Sequence, residues 1–230
     1  MSASAVVTLW STSVGKKAVM AVTGFILIGF VIFHMLGNLK LYQGEEKFNN
    51  YATFLRQVGA PVLGSNQILW ATRLILLAAT VLHIGAAAQL TKMSYAARPV
   101  SYRQREAIQS TYASRTMRWS GVIITLFVIY HVLHFTFGAV GYAPRQFQPT
   151  SVYRNVVNGF SVWYVSAFYI AAMVALGLHV YHGVWSMFQT LGVNQVTTDR
   201  LYRMLATVSS LAVVAGNISF PVAVLTGLLR

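Results

Sequence analysis

Five long apolar runs divide the chain, at about 16–41, 67–93, 117–141, 160–190 and 204–229. Each is longer than the roughly 20 mostly apolar residues that a helix needs to cross a bilayer. Only 9% of the residues are charged and 56% are apolar, whereas about a quarter of a soluble domain is charged. The loops are short, so the sequence predicts an all-α integral membrane protein with five transmembrane helices, organised as a single domain over residues 1–230.

Composition limits the possible cofactors and partners. The chain has no cysteine, which excludes a disulfide, a thiolate metal site, an iron-sulfur cluster of its own and a covalently attached c-type haem. The formal net charge is +13, but the basic residues lie in short segments between apolar runs. We therefore expect contact with membrane lipid and no binding of nucleic acid.

Lysine and arginine counts predict the orientation. The N-terminal segment and the loops after the second and fourth runs carry ten of these residues, and the opposite side carries seven. The positive-inside rule then places the N-terminus inside and the C-terminus outside. The first run lacks a small-residue cleavage site, so we expect no cleavable signal peptide. Segment 44–58 has its apolar residues on one helical face, which predicts an amphipathic helix on the outer surface.

Four histidines lie deep in four different runs. His34 and His131 lie toward the outer leaflet, and His83 and His179 lie toward the inner leaflet. The two levels are separated by about 15 Å. Two haem b groups with bis-histidine ligation require this arrangement, because haem iron takes axial ligands from opposite faces. Helices one to four would then form a di-haem four-helix bundle.

Two other interpretations of the histidines stay open. They could be buried residues that bond to backbone carbonyls or waters, or they could line a cation pathway in a haem-free transporter. A proton or metal pathway usually has a carboxylate within the span. All four acidic residues of this chain fall in the predicted loops: Glu45, Glu46, Glu106 and Asp199.

An internal echo links the two halves. Thr23-Gly24 precedes His34 by the same spacing as Ser120-Gly121 precedes His131. Helices one and two therefore resemble a divergent copy of helices three and four. Eleven residues make about three helical turns, which places Thr23 and Ser120 on the histidine faces but at the inner level. Thr23 and Ser120 are candidates for hydrogen bonds to the histidines that bind the inner haem, or they simply let the helices pack together.

Two His-x-x-His motifs leave a choice of ligand. His134 follows His131, and His182 follows His179, and three residues of spacing put both members on neighbouring faces. Matched depth favours His131 and His179. The second members would bond a haem propionate or a quinone carbonyl, or sit in the membrane interface, and the interface position is the interpretation we favour.

A set of residues, taken in order along the chain, resembles the pattern of a known family. The set is His34-x-x-x-Asn38, Leu82-His83, Gly121 with His131 ten residues on, and HVYHGVWS from His179 followed by LGVNQVTTDR. Over essentially the whole chain it resembles the cytochrome b membrane subunit of succinate:quinone oxidoreductases that have one five-helix anchor and two haems. The resemblance implies His34 and His131 as ligands of the outer haem iron, and His83 and His179 as ligands of the inner one.

The resemblance also implies partners. A flavoprotein subunit with FAD would oxidise succinate, as in the tricarboxylic acid cycle, and an iron-sulfur subunit would carry the electrons. Both would sit on the inner face of a bacterial cytoplasmic membrane, and this subunit would pass electrons through haem to a quinone, often menaquinone. The basic loop 92–118 is a candidate docking surface, although positive-inside bias also explains it. Lys17 and Arg118 could meet inner propionates, and Arg73 lies near the outer haem's level.

The lack of an acid within a helix favours the succinate-oxidising direction, because relatives that run the reverse reaction are expected to use an intramembrane glutamate. The quinone position stays open between an outer site near His134 and Tyr42 and an inner site near Trp185 and His182. A di-haem subunit of another quinone-linked complex, such as a hydrogenase, formate dehydrogenase or nitrate reductase, is the alternative function.

Overall fold

The computed structural model describes residues 10–97 and 112–230, and every regular element in these two ranges is a helix. A single 3-10 turn, Leu39–Gln43, follows the first helix. The α-helices are α1 (Ser13–Asn38), α2 (Glu45–Gln57), α3 (Ala60–Leu63), α4 (Gln67–Ala96), α5 (Tyr112–Phe135), α6 (Val152–Ser161), α7 (Trp163–Thr190) and α8 (Asp199–Leu225).

Five of these helices, α1, α4, α5, α7 and α8, are long and apolar enough to cross a membrane. The prediction of an all-α membrane protein with five spans is confirmed. We call the end of the bundle that carries α2 and α6 the outer end and the opposite end the inner end. The helix α8 runs without interruption through Pro221, which is fully buried.

Several helix boundaries differ from the predicted ones by a few residues, and three of these differences have a clear local cause. The third span ends at Phe135 rather than near 141, because the chain turns at Gly138 and Gly141, where φ is +63° and +80°. The fourth span begins at Trp163 because Val162 is extended and separates it from α6. The fifth begins five residues early, at Asp199, whose carboxylate is favourable in a first helical turn.

The spans form two hairpins. Hairpin A consists of α1 packed along α4, and hairpin B consists of α5 packed along α7. The hairpins meet along α1 and α7, and α8 packs mainly on the far side of α7. Among the described residues, neither α1 with α5 nor α4 with α7 makes more than marginal contact. The helices of these two pairs therefore lie diagonally opposite each other in the bundle without packing directly.

The outer end is closed by short elements. The helix α2 matches the predicted amphipathic segment, with Phe48 buried and Leu55 exposed. It packs on α6, where the Arg154 Nε donates to Glu45 Oε1 at 2.9 Å. The largest apolar cluster lies beneath this cap and joins α5, α6, α7 and α8, including Phe127, Phe160 and Tyr169. The cap and this cluster pack against hairpin B at the outer end.

Candidate functional site: two pairs of facing histidines

The outer pair consists of His34 on α1 and His131 on α5. Their ring centroids are 5.9 Å apart and the ring planes are nearly perpendicular, at 89°. Aromatic rings surround them: Phe30 stacks on His34 at 5.2 Å, and Phe127 lies 5.8 Å from His131. The two histidines face each other across the diagonal where α1 and α5 do not pack.

The inner pair consists of His83 on α4 and His179 on α7. Their centroids are 6.3 Å apart, with planes inclined at 58°. This pair bridges the other diagonal of the bundle. The structure thus brings together the two pairs that depth along the helices predicts, His34 with His131 and His83 with His179.

Both separations suit a metal ion between the rings. Imidazole nitrogens bind metals at about 2 Å, so two rings on opposite sides of one ion have centroids about 6 Å apart. Within residues 10–97 and 112–230, no three histidine, cysteine, aspartate or glutamate side chains are placed so that they could hold a metal ion. An ion held by one of these pairs would need further ligands, which a porphyrin could supply.

The hydroxyl of Thr23 fixes the orientation of His83. Its Oγ1 lies 3.1 Å from His83 Nδ1 and 2.7 Å from the Val19 carbonyl oxygen. The hydroxyl proton is donated to that carbonyl, so the Thr23 oxygen accepts from the Nδ1–H of His83. A neutral imidazole with its proton on Nδ1 has a free lone pair on Nε2. The contact therefore prepares His83 to bind a metal through Nε2.

Ser120 makes the equivalent contact with His179. Its Oγ donates to the Met117 carbonyl oxygen at 3.0 Å and lies 3.2 Å from His179 Nδ1. In each hairpin, a hydroxyl from the first helix thus holds the inner histidine of the second helix. Such contacts to the other ring nitrogen orient metal-binding histidines and raise their basicity.

Two glycines allow these rings to lie close to the neighbouring helix. A Cβ added to Gly24 would lie 3.4 Å from His83 Cε1, and one added to Gly121 would lie 3.7 Å from His179 Cε1. A larger side chain at either position would meet the imidazole. The Thr23-Gly24 and Ser120-Gly121 echo is therefore a pair of equivalent histidine-holding sites.

The four histidine rings are incompletely covered by protein. His34 is exposed and the other three rings are only half-buried, although all four lie within the spans. A polar ring facing hydrocarbon without a partner is unfavourable, and a macrocycle held between the rings would cover them. The residues present therefore fit haem, and that these four histidines bind it stays a prediction.

The two remaining histidines differ from each other. His134 does not sit in the interface as expected: it is fully buried, and its Nδ1 lies 2.9 Å from the hydroxyl oxygen of Tyr169. It lies inside because α6 and the turn at Gly141 cover it. His182 is half-buried beside Trp185, with ring centroids 6.2 Å apart, and its Nδ1 has no hydrogen-bond partner.

Sequence reasoning missed Tyr169. Its hydroxyl oxygen lies between His134 and His131, at 3.4 Å from the Nδ1 of His131. No motif marks this tyrosine, because the contact depends on how α5 and α7 are rotated about their axes. The only available signal is its position ten residues before His179 on the same helix.

The fold and these pairs define a class: a multi-pass helical membrane protein with two sets of opposed imidazoles inside one bundle. The chain matches the succinate dehydrogenase/fumarate reductase transmembrane subunit family over residues 98–217, which are 120 of its 230 residues. It therefore belongs to this family of membrane subunits of an enzyme complex.

The matched range includes His131 and His179, whereas His34 and His83 precede it. No curated protein and no solved structure matches the chain.

Proposed function

We propose that this chain is the membrane anchor and electron-transfer subunit of a succinate:quinone oxidoreductase, with one haem b held by His34 and His131 and a second by His83 and His179. The observation that supports this most strongly is the pair of facing imidazole sets, each spaced for one metal, on the two diagonals of one bundle.

The two sites lie at different depths. Thr23 contacts His83 and lies eleven residues before His34 on α1, and Ser120 contacts His179 and lies eleven residues before His131 on α5. At 1.5 Å per residue, the levels are about 16 Å apart along the helices. Two carriers at these depths would divide the hydrocarbon core, about 30 Å thick, into shorter steps.

The protein would supply ligands, orientation and an apolar enclosure. Bound haem b would supply iron that gains and loses one electron. Thr23 and Ser120 would fix the tautomer of the inner ligands, and Phe30 and Phe127 would keep water from the outer pair. The chain would not act on succinate itself, which falls to a partner flavoprotein subunit with FAD.

The inner end would carry the partner subunits. Arg118 donates to the Tyr95 hydroxyl at 2.8 Å and so joins α5 to α4 at this end. Arg118 and the exposed Lys17 are available there for haem propionates. The candidate docking loop 92–118 falls largely outside the described residues. We place an iron-sulfur subunit and the flavoprotein on this face of a bacterial cytoplasmic membrane, with the N-terminus inside.

A quinone, menaquinone in our proposal, would accept the electrons. Of the two positions left open, the structure gives more support to the inner one. His134 is enclosed and cannot touch a ligand, and the Tyr42 hydroxyl already donates to Ser219. Near the inner end, a cavity is lined by Trp185, and the half-buried ring of His182 lies 6.2 Å from the Trp185 ring, measured between centroids. The described acidic residues lie at helix beginnings, in keeping with the succinate-oxidising direction.

Spectroscopy and partner identification test the proposal together. The affinity-tagged chain is purified from its membrane with whatever co-purifies, and the dithionite-reduced spectrum and haem content are measured. We expect split b-type α bands, two haems per chain, and a flavoprotein and an iron-sulfur protein as partners. A preparation without haem would overturn the electron-transfer role, and hydrogenase, formate dehydrogenase or nitrate reductase partners would move the chain to another complex.

A further inference from the structure

Three side chains form a hydrogen-bonded row beside the outer site. The Tyr169 hydroxyl oxygen lies 3.4 Å from His131 Nδ1 and 2.9 Å from His134 Nδ1. Tyr169 is 5% exposed and His134 is fully buried. The row connects α5 and α7 within hairpin B and has no contact with bulk solvent at its centre.

If His131 binds a metal through Nε2, the protons of the row can be arranged in one way only. In that case His131 Nδ1 carries a proton and donates it to the Tyr169 oxygen. The single hydroxyl proton of Tyr169 is then donated to His134 Nδ1, and the His134 proton lies on Nε2. The reverse order would place a proton on His131 Nε2 and block ligation. The direction in which the hydrogen bonds of the row run therefore depends on whether His131 binds a metal through Nε2.

The packing around His134 prevents its ring from turning away. A Cβ added to Gly159 would lie 2.6 Å from His134 Nε2, and one added to Gly141 would lie 2.7 Å from it. The His134 Nε2 atom is buried and has no hydrogen-bond partner. An unpaired buried polar atom disfavours folding, so fold stability alone does not account for a histidine here.

Hairpin A lacks this row. Tyr169 lies ten residues before His179, and the residue ten before His83 is Arg73, whose guanidinium packs over the Trp70 ring at 4.9 Å. The position equivalent to His134 is Gly37, and the Tyr51 side chain fills the space beside it. His34 accordingly makes no hydrogen bond with any described residue. The row is a property of one outer histidine only.

We infer that Tyr169 is a positioning residue for His131, held in place by His134, and that the pair sets the orientation and basicity of one ligand of the outer haem. This inference rests on the proposed function. An acceptor at Nδ1 makes an imidazole a stronger donor to a metal, which favours the oxidised iron. Loss of the Tyr169 hydroxyl should therefore raise the midpoint potential of the outer haem.

The test compares Tyr169→Phe, His134→Leu and the double variant in the purified complex. Redox titration follows the two haems separately through their split bands, and the low-spin ferric resonance of each is recorded. Tyr169→Phe removes one oxygen and keeps the ring contacts. We expect a more positive outer potential and a changed outer resonance, with the inner haem unaltered. His134→Leu should act in the same direction, and the double variant should add nothing further.

Tyr153→Phe is the matched control, because Tyr153 is buried at the same end and its hydroxyl bonds the Arg230 carbonyl oxygen, so the change removes an outer hydrogen bond that does not touch His131. It should leave both haems as in the wild type. A normal two-haem spectrum with an unmoved outer potential in Tyr169→Phe would overturn the inference and leave the proposed function standing. An equal shift of both haems would also overturn it. A wild-type complex without haem would overturn the proposed function itself.

Discussion

The inner and outer histidine pairs have similar spacing but are held differently. Both inner rings have their Nδ1 atoms fixed by hydroxyls, from Thr23 and from Ser120, and these hydroxyls are anchored to carbonyls of their own helices. In the outer pair only His131 has such a contact, through a tyrosine, and His34 relies on stacking with Phe30. The repeat thus preserves a symmetric inner site and has diverged at the outer one.

This difference shows which histidine contacts form within one hairpin and which depend on packing with other helices. Each inner contact is made within one hairpin by a short side chain, so each hairpin can prepare its ligand before the two halves meet. The outer site instead depends on tertiary packing of α5, α6 and α7 around His134. The inner site should therefore respond to single substitutions in Thr23-Gly24 or Ser120-Gly121, and the outer site should respond to changes in the cap that α2 and α6 form.

The largest effect is expected from removing an inner ligand. His83→Ala or His179→Ala should abolish the inner haem and retain the outer one, because each pair uses its own two helices. Haem content should fall from two to one per chain, with loss of one of the split α bands. His182→Ala is the matched control and should retain both haems. Loss of the inner haem in the control alone would reassign the ligand.

A smaller but still large effect is expected from filling the space beside His83. Gly24→Leu would push a side chain into the imidazole, where even a Cβ is 3.4 Å from Cε1. The inner haem should be partly lost and its ferric resonance broadened. Gly29→Leu, on the same helix, has nothing within 4 Å of its added Cβ and should keep a wild-type spectrum. Equal loss in both variants would indicate a general effect on α1.

Removing the hydroxyl contacts should weaken the inner site without destroying it. Thr23→Val and Ser120→Ala each remove the hydroxyl oxygen that lies against the Nδ1 of an inner histidine, and losing one partner of a hydrogen bond inside a protein costs about 1–3 kcal/mol. Loss of such a contact typically reduces metal affinity by about 10–100-fold. Competition with a haem-binding protein measures this. Thr125→Val, whose hydroxyl bonds only to the Gly121 carbonyl of its own helix, should bind both haems normally.

The smallest effect concerns the outer cap. The Arg154 guanidinium holds the pKa of Glu45 below its usual value. Because the folded pKa is depressed, the pair stabilises the cap above the ordinary carboxyl pKa and is lost as the pH falls through the folded pKa. Glu45→Gln should lower the melting temperature slightly at neutral pH, since exposed pairs contribute little.

The difference between wild type and Glu45→Gln should shrink as the pH falls below the ordinary carboxyl pKa of about 4.3, and it should disappear below the depressed pKa of the folded state. Haem spectra should be unchanged at both pH values. A difference that persists in acid would mean that the carboxylate charge is not the cause.

The sequence predicted the parts that depend on distance along a helix. Eleven residues place Thr23 three turns from His34, and the structure brings Thr23 to His83 at that level. The histidines that depth pairs are also the ones whose rings the structure brings close together. The parts that depend on rotation between helices were not predictable, and Tyr169 is the clearest case. The expected interface position of His134 was wrong. In sequence, a histidine near the end of an apolar helix looks the same whether lipid or a folded cap covers it.

Among the described residues, the two hairpins pack against each other mainly along α1 and α7, while the histidine rings face each other across the diagonals. Any group that grips both rings of a diagonal would act as a cross-tie, and its binding free energy would add to that of assembly. If the proposed function holds, synthesis of this chain and the supply of haem would then be linked. Chains made faster than haem is supplied would lack these connections across the diagonals, would be more open to membrane proteases and would offer partner subunits a less fixed surface.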